Sequence, residues 1–101
     1  MADQAKGYWI VTARISDPDG FAPYRDMAGP VIAGFGGRAI VRGDVTELVE
    51  GASHGRPFIV EFPSLQAARD CYASPGYQAA IDLRREAATF DLIIAEGPAS
   101  A

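Results

Sequence analysis

Eight residues near the middle of the chain, Arg56-Pro57-Phe58-Ile59-Val60-Glu61-Phe62-Pro63, restrict the fold more than any others. At the two-residue period of a strand, Phe58, Val60 and Phe62 share one face, and Ile59 and Glu61 share the other. Both faces carry apolar side chains, so the segment is expected to be a strand covered on both sides, with one carboxylate among apolar neighbours. Proline cannot donate to a ladder, so Pro57 and Pro63 set the ends and leave about five residues, an ordinary strand length.

The remaining elements arrange themselves around that strand. In residues 8–15, Trp9, Val11, Ala13 and Ile15 alternate with Tyr8, Ile10, Thr12 and Arg14, which predicts a first strand. Asp17-Pro18-Asp19-Gly20 ends it, and Phe21, Tyr24, Ala28, Val31, Ile32 and Phe35 follow at helical spacing, predicting an amphipathic helix of about 15 residues. Pro23 is tolerable if that helix begins near Asp19 or Gly20. Pro30, after Gly29, is expected to bend the helix or end its regular part early. Arg38–Arg42 alternates again, with Ala39 and Val41 opposed to Arg38, Ile40 and Arg42. Gly43-Asp44 interrupts it before a second extended piece at 45–50, and Gly51–Gly55 turns the chain into the central strand. Ser64 is placed to cap a helix from Leu65 to about Ala73, and Ser74-Pro75 restarts one that runs to about Ala88. Phe90–Ala95 is the last strand.

The order is βαββαβ. Right-handed crossovers then put the first and third strands in the middle of a four-stranded antiparallel sheet, with the helices on one face: an α+β, ferredoxin-like sandwich. The helix-side faces, with Trp9, Val11, Val41, Phe58, Val60, Phe62, Phe90, Leu92 and Ile94, are uniformly apolar. The opposite face mixes Tyr8, Ile10, Thr12, Arg14, Ile40, Arg42, Ile59, Glu61, Asp91 and Ile93. It is too apolar to face water and too charged to be an ordinary core. A second copy packed sheet to sheet would cover it and enclose its charges in a cavity, so a homodimer with a small-molecule ligand is expected. The segment at 45–50 has no place in its own sheet and is expected to reach across to the neighbouring copy.

Composition narrows the function classes. With 101 residues the chain makes one domain, placed at residues 6–97 with a fraying tail at 98–101. A net charge of −4 opposes phosphate backbones and anionic membranes, so neither nucleic acid nor membrane is an expected partner. Cys71 is the one cysteine, which rules out an internal disulfide and a multi-cysteine metal cluster and fits a reducing cytoplasm. No stretch is long and apolar enough to be a signal peptide or a membrane span. No metal and no cofactor are expected, since His54 is the sole histidine and the carboxylates lack ligand spacing.

Short motifs spread along the chain resemble a known family. Lys6-Gly7-Tyr8-Trp9-Ile10, Phe35-Gly36-Gly37-Arg38, Val41-Arg42-Gly43, Val60-Glu61-Phe62-Pro63-Ser64, Ala67-Ala68, Cys71-Tyr72, Ser74-Pro75, Tyr77-Gln78-Ala79, Arg84 and Glu96-Gly97 resemble the domain-of-unknown-function family numbered 1330. The resemblance covers about residues 6–97. It implies a ferredoxin-like protomer of the dimeric alpha-beta barrel superfamily and no established activity. Where the family often carries a second glycine after the arginine-glycine pair, this chain has Asp44. The wider superfamily includes cofactor-free monooxygenases, lactone isomerases and haem-handling enzymes, so analogy selects no single chemistry.

The candidate site residues come from the mixed face, apart from Tyr24 of the first helix. Glu61 and Arg42 rank first, because an ionisable side chain directed from a strand into an enclosed space is costly unless it is paired or used. Glu61 would serve as acid or base, and Arg42 would hold a carboxylate or a developing oxyanion. Tyr8, Thr12, Arg14, Ile40, Ile59 and Tyr24 would line the ligand. The same charges also fit a structural ion pair in a non-catalytic binding or assembly protein. His54 reads as surface decoration, Cys71 as a small hydrophobe and Tyr77 as core.

Overall fold

A computed structural model describes residues 5–52 and 54–99. Among them are four strands and three helices: β1 Gly7–Ile15, α1 Pro18–Gly34, β2 Arg38–Val41, β3 Arg56–Phe62, α2 Leu65–Ala73, α3 Pro75–Arg84 and β4 Ala88–Glu96. The strands form one antiparallel sheet in the order β2-β3-β1-β4, with β3 and β1 in the middle. This is the ferredoxin-like arrangement that right-handed crossovers demand.

Alternation sorts the sheet as its residue types dictate. Trp9, Val11, Ala13, Val60 and Phe62 are buried beneath the helices, and Phe58, Phe90, Leu92 and Ile94 pack beside them. Trp9 anchors this layer. Its ring lies 5.0 Å from Phe62 and 4.8 Å from Tyr77, and its indole N–H donates to the Ala68 carbonyl at 2.9 Å. Burying a large side chain of this kind contributes about 3 kcal/mol, and the bond to α2 satisfies the ring's only polar group.

Ser64 accepts from the Ala67 N–H and so caps α2. Ser74 accepts from the Tyr77 N–H to cap α3, while its own hydroxyl donates to the last-turn carbonyl of Cys71 at 2.7 Å. The helix breaks there because a residue before proline is pushed out of the α region, and Ser74 sits at φ −65°, ψ 147°. Helix α3 ends at Arg84, earlier than the spacing suggests, and β4 already starts at Ala88.

Helix α1 departs from expectation in two ways. It starts at Pro18, so Pro23 is not in the first turn and forgoes an interior bond to the Asp19 carbonyl. It also runs on through Pro30 to Gly34 instead of ending early. Phe21, Tyr24 and Ala28 hold it to the core.

The largest correction lies in β2. Arg38 opposes Glu61 and Ala39 opposes Val60, but Val41 opposes Ile59, so Ile40 is an extra residue in a β-bulge. One inserted residue reverses the facing of every residue after it. Val41, expected under the helices, lies on the open face beside Ile59. Arg42, expected on the open face, lies on the helix side. Residues 45–50 are not a strand; they form part of an irregular connection in which Val45 is 97% and Val49 83% exposed. Ser53 and residues 100–101 of the expected turn and tail lie outside the described residues.

Candidate functional site

The open face of the sheet is organised in rows set by the register. In one row Arg38, Glu61 and Tyr8 stand side by side across β2, β3 and β1. Tyr8 donates its hydroxyl to Glu61 Oε2 at 3.2 Å, and Arg38 approaches Oε1 through Nε at 3.2 Å and a terminal nitrogen at 3.1 Å. Both carboxylate oxygens are therefore occupied. Desolvation first, and then the Glu61 bond, raises the Tyr8 hydroxyl above its ordinary range. The Arg38 side chain is 74% exposed and that of Glu61 15%, so this pair is screened at one end and contributes little to stability by itself.

The neighbouring row is wholly aliphatic: Val41, Ile59, Ile10 and Ile93 run across all four strands. Ile93 is 61% exposed. Beyond it, Thr12 stands between Pro57 and Asp91, and Arg14, further along β1, is in long reach of the His54 carbonyl at 3.5 Å.

The opposite side of the sheet holds a groove of about 420 Å³ between α1 and the β2–β3 half of the sheet. It exists because small residues border it. Ala39 is exposed there although it faces the helix layer, and a Cβ at Gly29 of α1 would find nothing within 4 Å. Its inner surface is apolar and aromatic, from Trp9, Val60, Phe58, Phe21 and Phe90, and its mouth carries Arg25, Arg42, Arg56 and Asp44. Gly43 shapes that mouth: its φ is +73°, and any Cβ would lie 2.9 Å from the Pro57 carbonyl. At the inner end the hydroxyls of Tyr24 and Tyr77 meet at 2.7 Å. Burial is the first cause that pushes both phenols above their ordinary range, and in Tyr24 the neighbouring Tyr77 adds to it. The Arg84 guanidinium lies 3.9 Å from the centre of the Phe90 ring and 5.3 Å from that of Tyr24.

The sequence-derived candidates thus divide between two faces. Glu61, Tyr8, Thr12, Arg14 and Ile59 belong to the open face, with Ile40 half exposed at its bulged edge. Arg42 and Tyr24 line the groove on the other side. The partner of Glu61 is Arg38, not Arg42. Sequence reasoning also missed Ala39, Arg56 and the Tyr24–Tyr77 contact; the mixed alternation of 38–42 pointed to the face but not to the bulge. His54 is exposed. Cys71 is fully buried, and burial pushes its thiol up to about 11, which suits packing and not nucleophilic attack. Among the described residues no three or more His, Cys, Asp or Glu side chains converge as metal ligands would, and no helix is long and apolar enough to cross a membrane.

Element order, sheet topology and the two-faced sheet define a ferredoxin-like α+β protein. The chain belongs to the family described as Domain of unknown function (DUF1330), whose model matches residues 6–98. Its fold is similar to that of the RPA0582 protein of unknown function from Rhodopseudomonas palustris, with 22% identity over 96% of this chain and 85% of that one and a TM-score of 0.74. It is also similar to SnoaB, a cofactor-independent oxygenase from Streptomyces nogalater, with 16% identity, 96% and 95% coverage and a TM-score of 0.53. A dimeric ferredoxin-like protein of unknown function from Thermobifida fusca YX gives 11% identity, 95% and 94% coverage and a TM-score of 0.50. No curated protein gives a significant match.

Proposed function

We propose that the protein is a homodimer that binds a small, partly hydrophobic molecule in the groove between α1 and the sheet. The groove itself carries this reading: about 420 Å³ of space with an aromatic interior, and with Arg25, Arg42, Arg56 and Asp44 as the charged residues of its lining, is the size and chemistry of a small-molecule site. The aliphatic row on the open face supports the dimer, since two such rows packed about a two-fold axis would remove each other from water. The similarity in fold to a dimeric ferredoxin-like protein supports a dimer. A cytoplasmic setting, with Cys71 kept reduced, completes the reading.

The test fills the groove. Ala39→Phe places a ring in it from a strand position that favours aromatics, without touching the buried core. The neutral fluorescent probe N-phenylnaphthylamine is expected to bind the wild-type protein and to lose at least about tenfold in affinity for the variant. A probe that binds both equally, or neither, would falsify the groove as the site.

A second reading rests on the Tyr8–Glu61–Arg38 cluster. Enclosed by a second copy, Glu61 would act as acid or base on a ligand held against the aliphatic row, and the similarity to an oxygenase fold fits such chemistry. If the cluster is structural, Glu61→Gln leaves ligand binding intact and weakens only the dimer.

A further inference from the structure

We infer that the molecule held in the groove is an organic anion with a flat apolar body, a carboxylate at the mouth between Arg42 and Arg56, and an oxygen acceptor directed at the Tyr24–Tyr77 pair. This rests on the groove being the binding site and adds the chemical class of its occupant.

Charge argues for the anion. The chain as a whole is at −4, yet the ionisable groups at the groove mouth are three arginines against one aspartate. Asp44 does not neutralise them: its Oδ1 is 3.9 Å from an Arg56 nitrogen, a long contact between two side chains that are more than half exposed. Arg56 is held in place instead, with Nε donating to the Gly43 carbonyl at 3.4 Å and its guanidinium 5.6 Å from the Phe58 ring centre. A guanidinium fixed at the edge of an apolar slot recognises a planar carboxylate better than an ammonium would, because it offers parallel N–H donors. Arg42 reaches this mouth only because of the bulge at Ile40.

Proton counting argues for the acceptor. Two buried hydroxyls carry two protons, and their mutual bond at 2.7 Å uses one. No hydrogen bond among the described residues takes the other proton; Tyr77 is 0% exposed and Tyr24 7%, so we take Tyr77 as the donor of the mutual bond, which leaves the O–H of Tyr24, a residue that lines the groove. Burial keeps both phenols protonated, so the spare O–H is a donor at the closed end of an apolar slot. A carbonyl oxygen of the ligand satisfies it.

Isothermal titration calorimetry with three probes of one shape tests this. Para-benzoylbenzoate carries both features, para-benzoylbenzamide lacks the charge, and para-benzylbenzoate lacks the ketone. The acid is expected to bind roughly tenfold more tightly than the amide, and that advantage is expected to vanish in the exposed double variant Arg42→Ala/Arg56→Ala. Para-benzylbenzoate is expected to bind several-fold more weakly than the ketone. Equal affinity of acid and amide, or an acid preference that survives the double variant, overturns the anion. Equal affinity of ketone and methylene compound overturns the acceptor. In each case displacement of N-phenylnaphthylamine, and its loss in Ala39→Phe, shows separately whether the groove itself binds ligands. If that probe binds and none of the three acids or amides displaces it, the inference fails while the groove stands.

Discussion

Gly29 and Pro30 show how much one residue can decide. A glycine inside a helix ordinarily costs about 1 kcal/mol relative to alanine, and outside its chain neighbours and the helix's own nearby backbone no atom lies within 4 Å of a Cβ placed there. Alanine should therefore stabilise α1. The next residue reverses the sign, because the proline Cδ clashes with a preceding Cβ in the α conformation. Gly29 removes that clash where the helix runs on through Pro30 to Gly34, whereas the helix bears it at Ala22 before Pro23. Gly29→Ala is accordingly expected to lower stability by about 1 kcal/mol, and the same change in a Pro30→Ala background to raise it by a similar amount. Urea unfolding of the four proteins checks this; stabilisation in both backgrounds would show that the proline imposes no such constraint.

At the scale of elements, the sheet is a set of rows, and each row has its own consequence. The row Val41, Ile59, Ile10 and Ile93 is apolar across every strand. Ile93 is exposed in the protomer, so a charge there costs the single chain little. In a sheet-to-sheet dimer the same charge would be buried without a partner and cost several kcal/mol. Ile93→Asp is expected to give a folded monomer, with wild-type thermal stability extrapolated to low protein concentration. Ile59→Asp should abolish assembly as well, with some loss in the protomer because Ile59 is half-covered by its neighbours. Light scattering decides: a monomeric wild-type protein at micromolar concentration removes the dimer, and a dimer that tolerates Ile93→Asp removes this face as its interface. The exposed Val45 and Val49 in the connection after β2 remain a proposed contact with the second copy in the same assembly.

For the whole molecule, the Tyr24–Tyr77 pair links stability to alkaline pH. Each phenol has its pKa raised in the folded protein above the ordinary 10.0, so the folded state binds protons more tightly than the unfolded one. The stabilisation is fully present below about pH 10 and is lost as pH rises beyond it. The free energy of unfolding is expected to be flat with respect to these two groups up to about pH 10, then to fall by about 1.4 kcal/mol per pH unit for each tyrosine. Tyr24→Phe should take about 1.4 kcal/mol per pH unit off the measured slope, to which Tyr8 and Cys71, also raised, add their own parts. Urea unfolding across alkaline pH measures it, and an unchanged slope in the variant would place the titration elsewhere.

Much of this architecture is readable in the chain itself. The two-residue alternation of β1, β3 and β4 places Trp9, Val11, Val60 and Phe62 under the helices, and Ser74-Pro75 splits the second helix because a pre-proline residue leaves the α region. These are local rules acting over a few residues. What only the tertiary structure decided was which charges and hydroxyls meet. The bulge at Ile40 is a register choice made against β3, and it carried Arg42 to the groove and left Arg38 as the partner of Glu61. Tyr24 and Tyr77 are 53 residues apart, and their contact depends on how α1 and α3 pack over the sheet. Periodicity assigns a side chain to a face, but its neighbours on that face come from other elements, whose register and packing no local pattern contains.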